Sequence, residues 1–339
     1  MKRNTKTLLK SIFLILLLVV MMICLNAVFM SKTNKHMAKI VLAPDQTYDV
    51  ILAGPSHMEY GIQPAQLFGE YGIASCNIAT TAQSIPTTYH LLKEMIARHD
   101  PEVVVLDLFY LFHPEKLAFD TRLHEAIDFF PLSKNKMETI QDLASENHRE
   151  FYIPFIFYHN RWKELTREDY VMYLEANETY QFRYSTEAFD APFTPVPEDQ
   201  TAEIPEIPLR YLKQIIALCQ ETDTQLLLTV LPYRADQDNN DTSAIYQQQI
   251  FNAAAQLAQE SGVPYINGLY YLEEMGFDFT TDMAEWSHVN VSGSVKSSAF
   301  YGNYLRDHFD IPDRSQDPDY ACWYEDYEEY LSEVEEWFS

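Results

Sequence analysis

After Asp49, Val50-Ile51-Leu52-Ala53 is an unbroken aliphatic run that stops at Gly54-Pro55 and delivers a serine, Ser56. A strand can be apolar at every position only if both of its faces are buried, which is the condition of a central parallel strand. Four further runs read as strands: Gly72–Asn77, Glu102–Phe109 (again apolar on both faces), Gln225–Leu231 and Val263–Asn267. Helical spacing fills the intervals. Tyr60–Tyr71 holds a short helix around Pro64, Thr87–His99 is stopped by Pro101, and Leu209–Glu221 and Thr242–Ser261 follow. A last amphipathic helix opens at Ser292-Gly293 and runs toward Phe309. Strands alternating with helices predict an α/β fold: a doubly wound, parallel, five-stranded sheet with right-handed crossovers.

The alternation is interrupted once. Between His113 and Pro208 lie clustered aromatics, a helical stretch at Lys136–Leu143 and a Pro-rich acidic connector, Ala191–Pro208. Because the strand–helix pattern resumes afterwards, 113–208 reads as an insertion or cap in a body made of 48–112 and 209–310. Residues 311–339 form an acidic, aromatic tail. Within it Glu325–Trp337 is expected as a helix with Tyr327, Tyr330, Leu331 and Val334 on one side, its aromatics packing on the body.

The amino terminus has a different chemistry. Lys2, Arg3, Lys6 and Lys10 precede an apolar run from Ile12 to Met30 broken only by Asn26. Such a run of about 19 residues can span a bilayer as a helix. No small-residue cleavage site follows it, so residues 1–31 read as a basic cytoplasmic flank with an uncleaved signal anchor, and 32–47 as a stalk. The basic flank stays inside, which predicts a single-pass protein of the cell membrane with its body outside the cytoplasm.

A net charge of −26 excludes nucleic acid as a partner. The four cysteines are widely spaced, with no CxxC pair or Cys/His cluster, so no metal is expected. A Cys219–Cys322 disulfide is left open. No phosphate-binding glycine pattern is present, and no cofactor is expected.

In a parallel α/β sheet, ligands bind beyond the carboxyl ends of the strands. Ser56 leaves the first strand at that edge. A serine needs a base to take its proton, and the loop Glu285-Trp286-Ser287-His288-Val289-Asn290, between the last strand and the last helix, brings His288 to the same edge. Glu285, three residues before His288, can orient the imidazole, and Asp282 is the alternative. His57 can shape the pocket. In the insertion, Tyr158-His159-Asn160-Arg161-Trp162 pairs a fork donor with an aromatic face, which suits a carbohydrate or an anionic group. The other reading of that run is an exposed helix start with Trp162 buried.

Gly54-Pro55-Ser56-His57, followed by Gly61-Ile62-Gln63-Pro64 and by the Glu285–His288 block before the last helix, resembles the SGNH/GDSL hydrolase-like superfamily. The likeness is to its membrane-anchored branch, which includes DltD-like and alginate-acetylation-like proteins. It covers about Tyr48–Phe309 without the insertion. Asn77–Gln83 is similar to the family's second block. The resemblance implies a flavodoxin-like SGNH fold with Ser56 as nucleophile, His288 as base and Glu285 in the position usually held by Asp. It also implies an oxyanion hole built from the amides of Ser56 and Ala82, with Ala82 standing at the block's glycine. The third-block asparagine is absent, Asp107-Leu108-Phe109-Tyr110 standing there, so Gln83 and then Tyr110 are the candidate third donors. Asn77 and Tyr110, with His57, Arg161 and Trp162, are candidate substrate contacts.

The function implied is an extracytoplasmic serine esterase or O-acyltransferase acting on acyl groups of a cell-envelope polysaccharide or polymer. A membrane-bound O-acyltransferase is the implied partner. The alternative is an inactive protein of the same fold that binds glycan or docks such a partner.

Overall fold

The computed structural model describes residues 2–30, 35–42, 47–115, 119–145, 147–167, 169–170, 179–189, 195–235 and 242–339. Five strands form one sheet: β1 (Val50–Ala53), β2 (Ser75–Asn77), β3 (Val103–Asp107), β4 (Gln225–Val230) and β5 (Tyr265–Asn267). Their order is β2-β1-β3-β4-β5 and every pairing is parallel. The expected α/β class and parallel five-stranded sheet are therefore present. The strands are shorter than the apolar runs because the run ends serve as turns and caps.

Strand residues alternate between two cores. Ile51, Ala53, Val104, Leu106, Leu228 and Val230 pack with Leu92, Met95, Leu212, Ile215 and Phe251 on one face. Val50, Leu52, Val103, Val105 and Leu227 pack with Leu67, Tyr301 and Leu305 on the other. Helices Ile85–His99, Glu206–Glu221 and Thr242–Ser261 cover the first face, and Pro64–Tyr71 and Val291–His308 the second. This double burial is why the strands read as continuous apolar runs.

Several details differ from the sequence reading. The helix expected at Tyr60–Tyr71 is two helices, Ser56–Gly61 and Pro64–Tyr71. Pro64 forces the residue before it out of helical geometry, and Gln63 is extended with φ −105° and ψ 116°. Part of the expected stalk is a helix, Lys35–Leu42, with Met37, Ile40 and Val41 buried in the main core. The rest of the stalk (31–34 and 43–46), part of the Pro-rich connector (191–194) and the loop at 236–241 lie outside the described residues. Cys219 and Cys322 are both free thiols, the first buried and the second exposed.

The insertion supplies helices Asp120–Ile127, Lys134–Leu143, His148–Tyr152 and Phe155–Tyr158, then a tight turn, His159–Lys163. Its returning chain at 179–189 has no regular structure and runs along the loop before the last helix, where the Glu187 amide donates to Met283 O at 2.9 Å and that of Phe189 to Phe279 O at 3.1 Å. The tail helix, Trp323–Phe338, lies on Pro64–Tyr71, and Tyr330 Oη donates to Gln66 Oε1 at 2.6 Å. Among the described residues one helix is long and apolar enough to cross a membrane, Thr5–Phe29, a property of length and composition.

Strand β1 ends at Gly54, whose φ of +148° lies where side chains are strained. A Cβ there would sit 3.0 Å from Asp107 Cβ. Gly54→Ala is expected to cost about 1–3 kcal/mol of stability, read as a lower urea midpoint of the detergent-solubilised chain. An unchanged midpoint would show that the turn has room to relax.

Candidate active site

The order β2-β1-β3-β4-β5 is the flavodoxin-like order 2-1-3-4-5, whose switch point lies between β1 and β3. Chains leaving these two neighbours go to opposite faces of the sheet, and the crevice between them is where such folds bind ligands. Ser56 leaves β1 there, two residues past Gly54, as the first residue of helix Ser56–Gly61. The Pro55–Thr80 bridge lays the second-block loop alongside it.

His288 reaches Ser56 from the loop that precedes helix Val291–His308. Ser56 Oγ and His288 Nε2 are 2.8 Å apart, the other ring nitrogen bonds to Glu285 Oε1, and Ser287 Oγ lies 3.1 Å from that same nitrogen. The loop is held by backbone and side-chain bonds. The amide of Ala284 donates to His288 O at 2.8 Å, and Asn290 caps the following helix by accepting from the Gly293 amide. Ser56, His288 and Glu285 thus form one hydrogen-bonded chain of hydroxyl, imidazole and carboxylate, an arrangement able to activate a serine.

Asp282, the alternative carboxylate, is fully buried and spent elsewhere. It accepts from Ser292 Oγ and Lys296 Nζ, both at 2.7 Å, so it fastens the loop to the helix.

The electrostatics favour a neutral base. Burial lowers the His288 pKa, and the charges of His57 and Arg183 lower it further against the opposing pull of Glu285. Burial pushes Glu285 upward, but its bond to His288 and the charges of His288 and Arg183 outweigh this and hold it below the usual carboxylate value. Arg183 comes from the returning chain of the insertion. Its guanidinium lies over the Tyr60 ring, 4.4 Å from the centroid, and Tyr60 meets His288 edge-on at 5.4 Å. Neither Arg183 nor Tyr60 carried any signal in the sequence, because both reach the site through tertiary packing alone.

The expected oxyanion and substrate residues divide. Ala82 has φ +52°, the left-handed geometry for which glycine is the unstrained residue. Gln83 is committed within its own loop, its side-chain oxygen accepting from Thr80 Oγ1 and its amide donating to Thr88 Oγ1, both at 2.9 Å. Asn77 is likewise spent. Its amide donates to Met58 O at 3.0 Å and Ile62 O at 3.3 Å, and its oxygen accepts from the Ala79 amide, so it clamps the helix of Ser56 instead of facing a substrate.

His57 points into the protein. Its Nδ1 lies 3.0 Å from Asp107 Oδ2 and its Nε2 3.2 Å from Pro232 O, with its ring stacked on Phe109. Tyr110 stacks on His113, ring centroids 4.4 Å apart. Arg161 and Trp162 stand away from Ser56. Arg161 donates to the carbonyls of Phe29 and Met30 at the end of the apolar helix, and Trp162 is 63% exposed, against the reading that buries it. Besides Tyr60, an aromatic that flanks the site is Trp286, 54% exposed and 6.3 Å from Phe109. Among the described residues no group of His, Cys, Asp or Glu is arranged to hold a metal.

A small cavity of about 30 Å³ lies on the other side of the Ser56 helix, lined by His36, Tyr48, Glu59, Gln63, Trp323 and Asp326 among others, and reaches none of Ser56, Glu285 and His288.

No family model and no curated protein matches the chain. It is similar in structure to a GDSL-like lipase from Bacteroides thetaiotaomicron, with 11% identity and a TM-score of 0.37 over 76% of this chain and 87% of that one. A candidate acylhydrolase from Bacteroides fragilis matches at 12% identity and a TM-score of 0.38, over 79% and 94% of the two chains. A candidate platelet activating factor protein from Streptococcus pneumonia matches at 14% and 0.39, over 81% and 92%. Similarity this loose says nothing of activity.

Followed by NMR, His288 is expected to titrate below the ordinary imidazole value of 6.5. Glu285→Gln should move its midpoint further down, because the one partner that favours the charged ring is weakened. A midpoint at or above 6.5 in the parent chain would contradict the neutral-base arrangement.

Proposed function

We propose that the chain is a membrane-anchored serine esterase or O-acyltransferase. The observation that carries this reading is the 2.8 Å approach of Ser56 Oγ to His288 Nε2, with Glu285 on the opposite ring nitrogen. Ser56 Oγ attacks the acyl carbonyl as His288 Nε2 takes its proton. The tetrahedral oxyanion is stabilised by the amides of Ser56 and Ala82. His288 then returns the proton to the leaving oxygen, leaving an acyl-serine. A second acceptor, water in an esterase or a sugar hydroxyl in a transferase, repeats the cycle with His288 again as base.

The apolar amino-terminal helix and the family resemblance support an extracytoplasmic envelope polymer as substrate. Exposed Trp286 beside the site supports a sugar acceptor, since aromatic faces stack on sugar rings. A membrane-bound O-acyltransferase is the partner this reading carries.

One observation favours a second reading, a binding protein of the same fold. Asp107 stands at the third block, yet it is buried against His57 and offers no donor to an oxyanion.

The detergent-solubilised full chain is expected to label with a serine-reactive fluorophosphonate and to hydrolyse p-nitrophenyl acetate. Ser56→Ala should abolish labelling, and Ser56→Ala and His288→Ala should each lower hydrolysis by at least about 10³-fold. Labelling that persists in Ser56→Ala removes Ser56 from the role, and absence of labelling in the parent chain selects the binding reading. Hydrolysis should also fall as pH drops through the His288 midpoint, below 6.5, because the protonated ring cannot accept the serine proton.

A further inference from the structure

The far end of the apolar helix is gripped by the insertion. Asn26 Oδ1 accepts from the Phe155 amide at 2.7 Å, and the Phe29 and Phe155 rings meet edge-on with centroids 5.1 Å apart. Arg161 donates to Phe29 O at 2.6 Å and to Met30 O, while its other terminal nitrogen donates to Asp169 Oδ1 at 3.0 Å. The last carbonyls of a helix lack intrahelical donors, and a cation there also complements the helix dipole. Arg161 therefore holds the turn His159–Lys163 against the helix end.

These contacts set the depth of that turn. With Lys10 at the cytoplasmic boundary, the rise to Met30 is about 30 Å at about 1.5 Å per residue, the thickness of a bilayer's hydrocarbon core. Asn26 then lies about 6 Å inside that boundary, and the segment bonded to residues 26–30 sits at the level of the headgroups.

What the segment exposes suits that level. Tyr152 (39%), Ile153 (40%), Ile156 (40%) and Trp162 (63%) are open, and Lys163 Nζ lies 5.2 Å from the Trp162 ring centroid. Aromatic rings with a polar edge, short apolar anchors and a long cation populate the membrane–water interface.

We infer that Tyr152–Lys163 is a foot that rests in the lipid interface and, with the helix, fixes the height of the body above the membrane. Lipid is the occupant because the span is open on consecutive residues, Leu14 through Leu17 being 53–59% exposed, so its whole circumference is solvated by lipid and the foot extends that surface. The inference rests on the membrane anchor of the proposed function and is independent of the chemistry at Ser56.

The test uses the full chain in phosphatidylcholine vesicles, with and without lipid brominated high on its acyl chains. The chain has four tryptophans, and the difference between parent and Trp162→Phe isolates the emission of Trp162. That difference signal is expected to lose at least about half its intensity to shallow bromines, as befits a ring at the interface. Equal fractional quenching in parent and Trp162→Phe overturns the foot, and so does protection of Trp162 only in native membranes, which would assign the surface to a protein partner. Vesicle flotation, read separately, tests the anchor. Flotation without Trp162 quenching sinks the foot alone, and failure to float sinks the anchor and the foot with it.

Discussion

The close pass of Gly54 beside Asp107 at the carboxyl ends of β1 and β3 is the constraint on which the site depends. There the chain must turn sharply away from β1 without a side chain in the gap, and only then can Ser56 begin a helix at the switch point. Asp107 is completely buried, so its oxygens need hydrogen-bond partners within the protein. His57 meets it directly, and the Leu231 amide lies 3.4 Å from its other oxygen. Through the second bond of His57, to Pro232 O, the chains leaving β1, β3 and β4 are drawn together by one imidazole. Removing one member would leave a buried polar group without its partner, at a cost of about 1–3 kcal/mol.

Upon that base the two halves of the hydrogen-bonded chain arrive from opposite ends of the sequence. Ser56 is set by β1 and its turn. His288 and Glu285 are set by a loop that Asp282, Lys296 and Asn290 fasten to the last helix. The insertion completes the rim through Arg183, whose stacking on Tyr60 places a positive charge near Glu285 and His288. The same insertion grips the apolar helix with Arg161. One excursion of the chain thus touches the Ser56–His288 pair at one end and the apolar helix at the other.

Much of this was legible because burial leaves a mark on composition. Double-sided burial makes strands continuously apolar, so all five were readable to within a few residues. The edge on which Ser56 and His288 stand follows from parallel connectivity. Where readings missed, a local signal had two uses. Asn77 and Gln83 have the donors an oxyanion or substrate needs, but the same amides serve equally to tie a loop, and they do. An Arg-Trp pair suits a sugar, and it suits a helix end and an interface as well.

The sequence by itself determined the sheet, its layering, the apolar helix and the identity of the residues at the carboxyl edge, because each depends on hydrophobic pattern and chain direction, which are local. Only the tertiary structure decided which polar groups meet: that Glu285 and not Asp282 orients His288, that His57 turns inward to Asp107, and that Arg161 serves the helix end. A hydrogen bond is satisfied at about 3 Å, and no pattern along the chain records which of several suitable partners lies within that distance once the loops have closed.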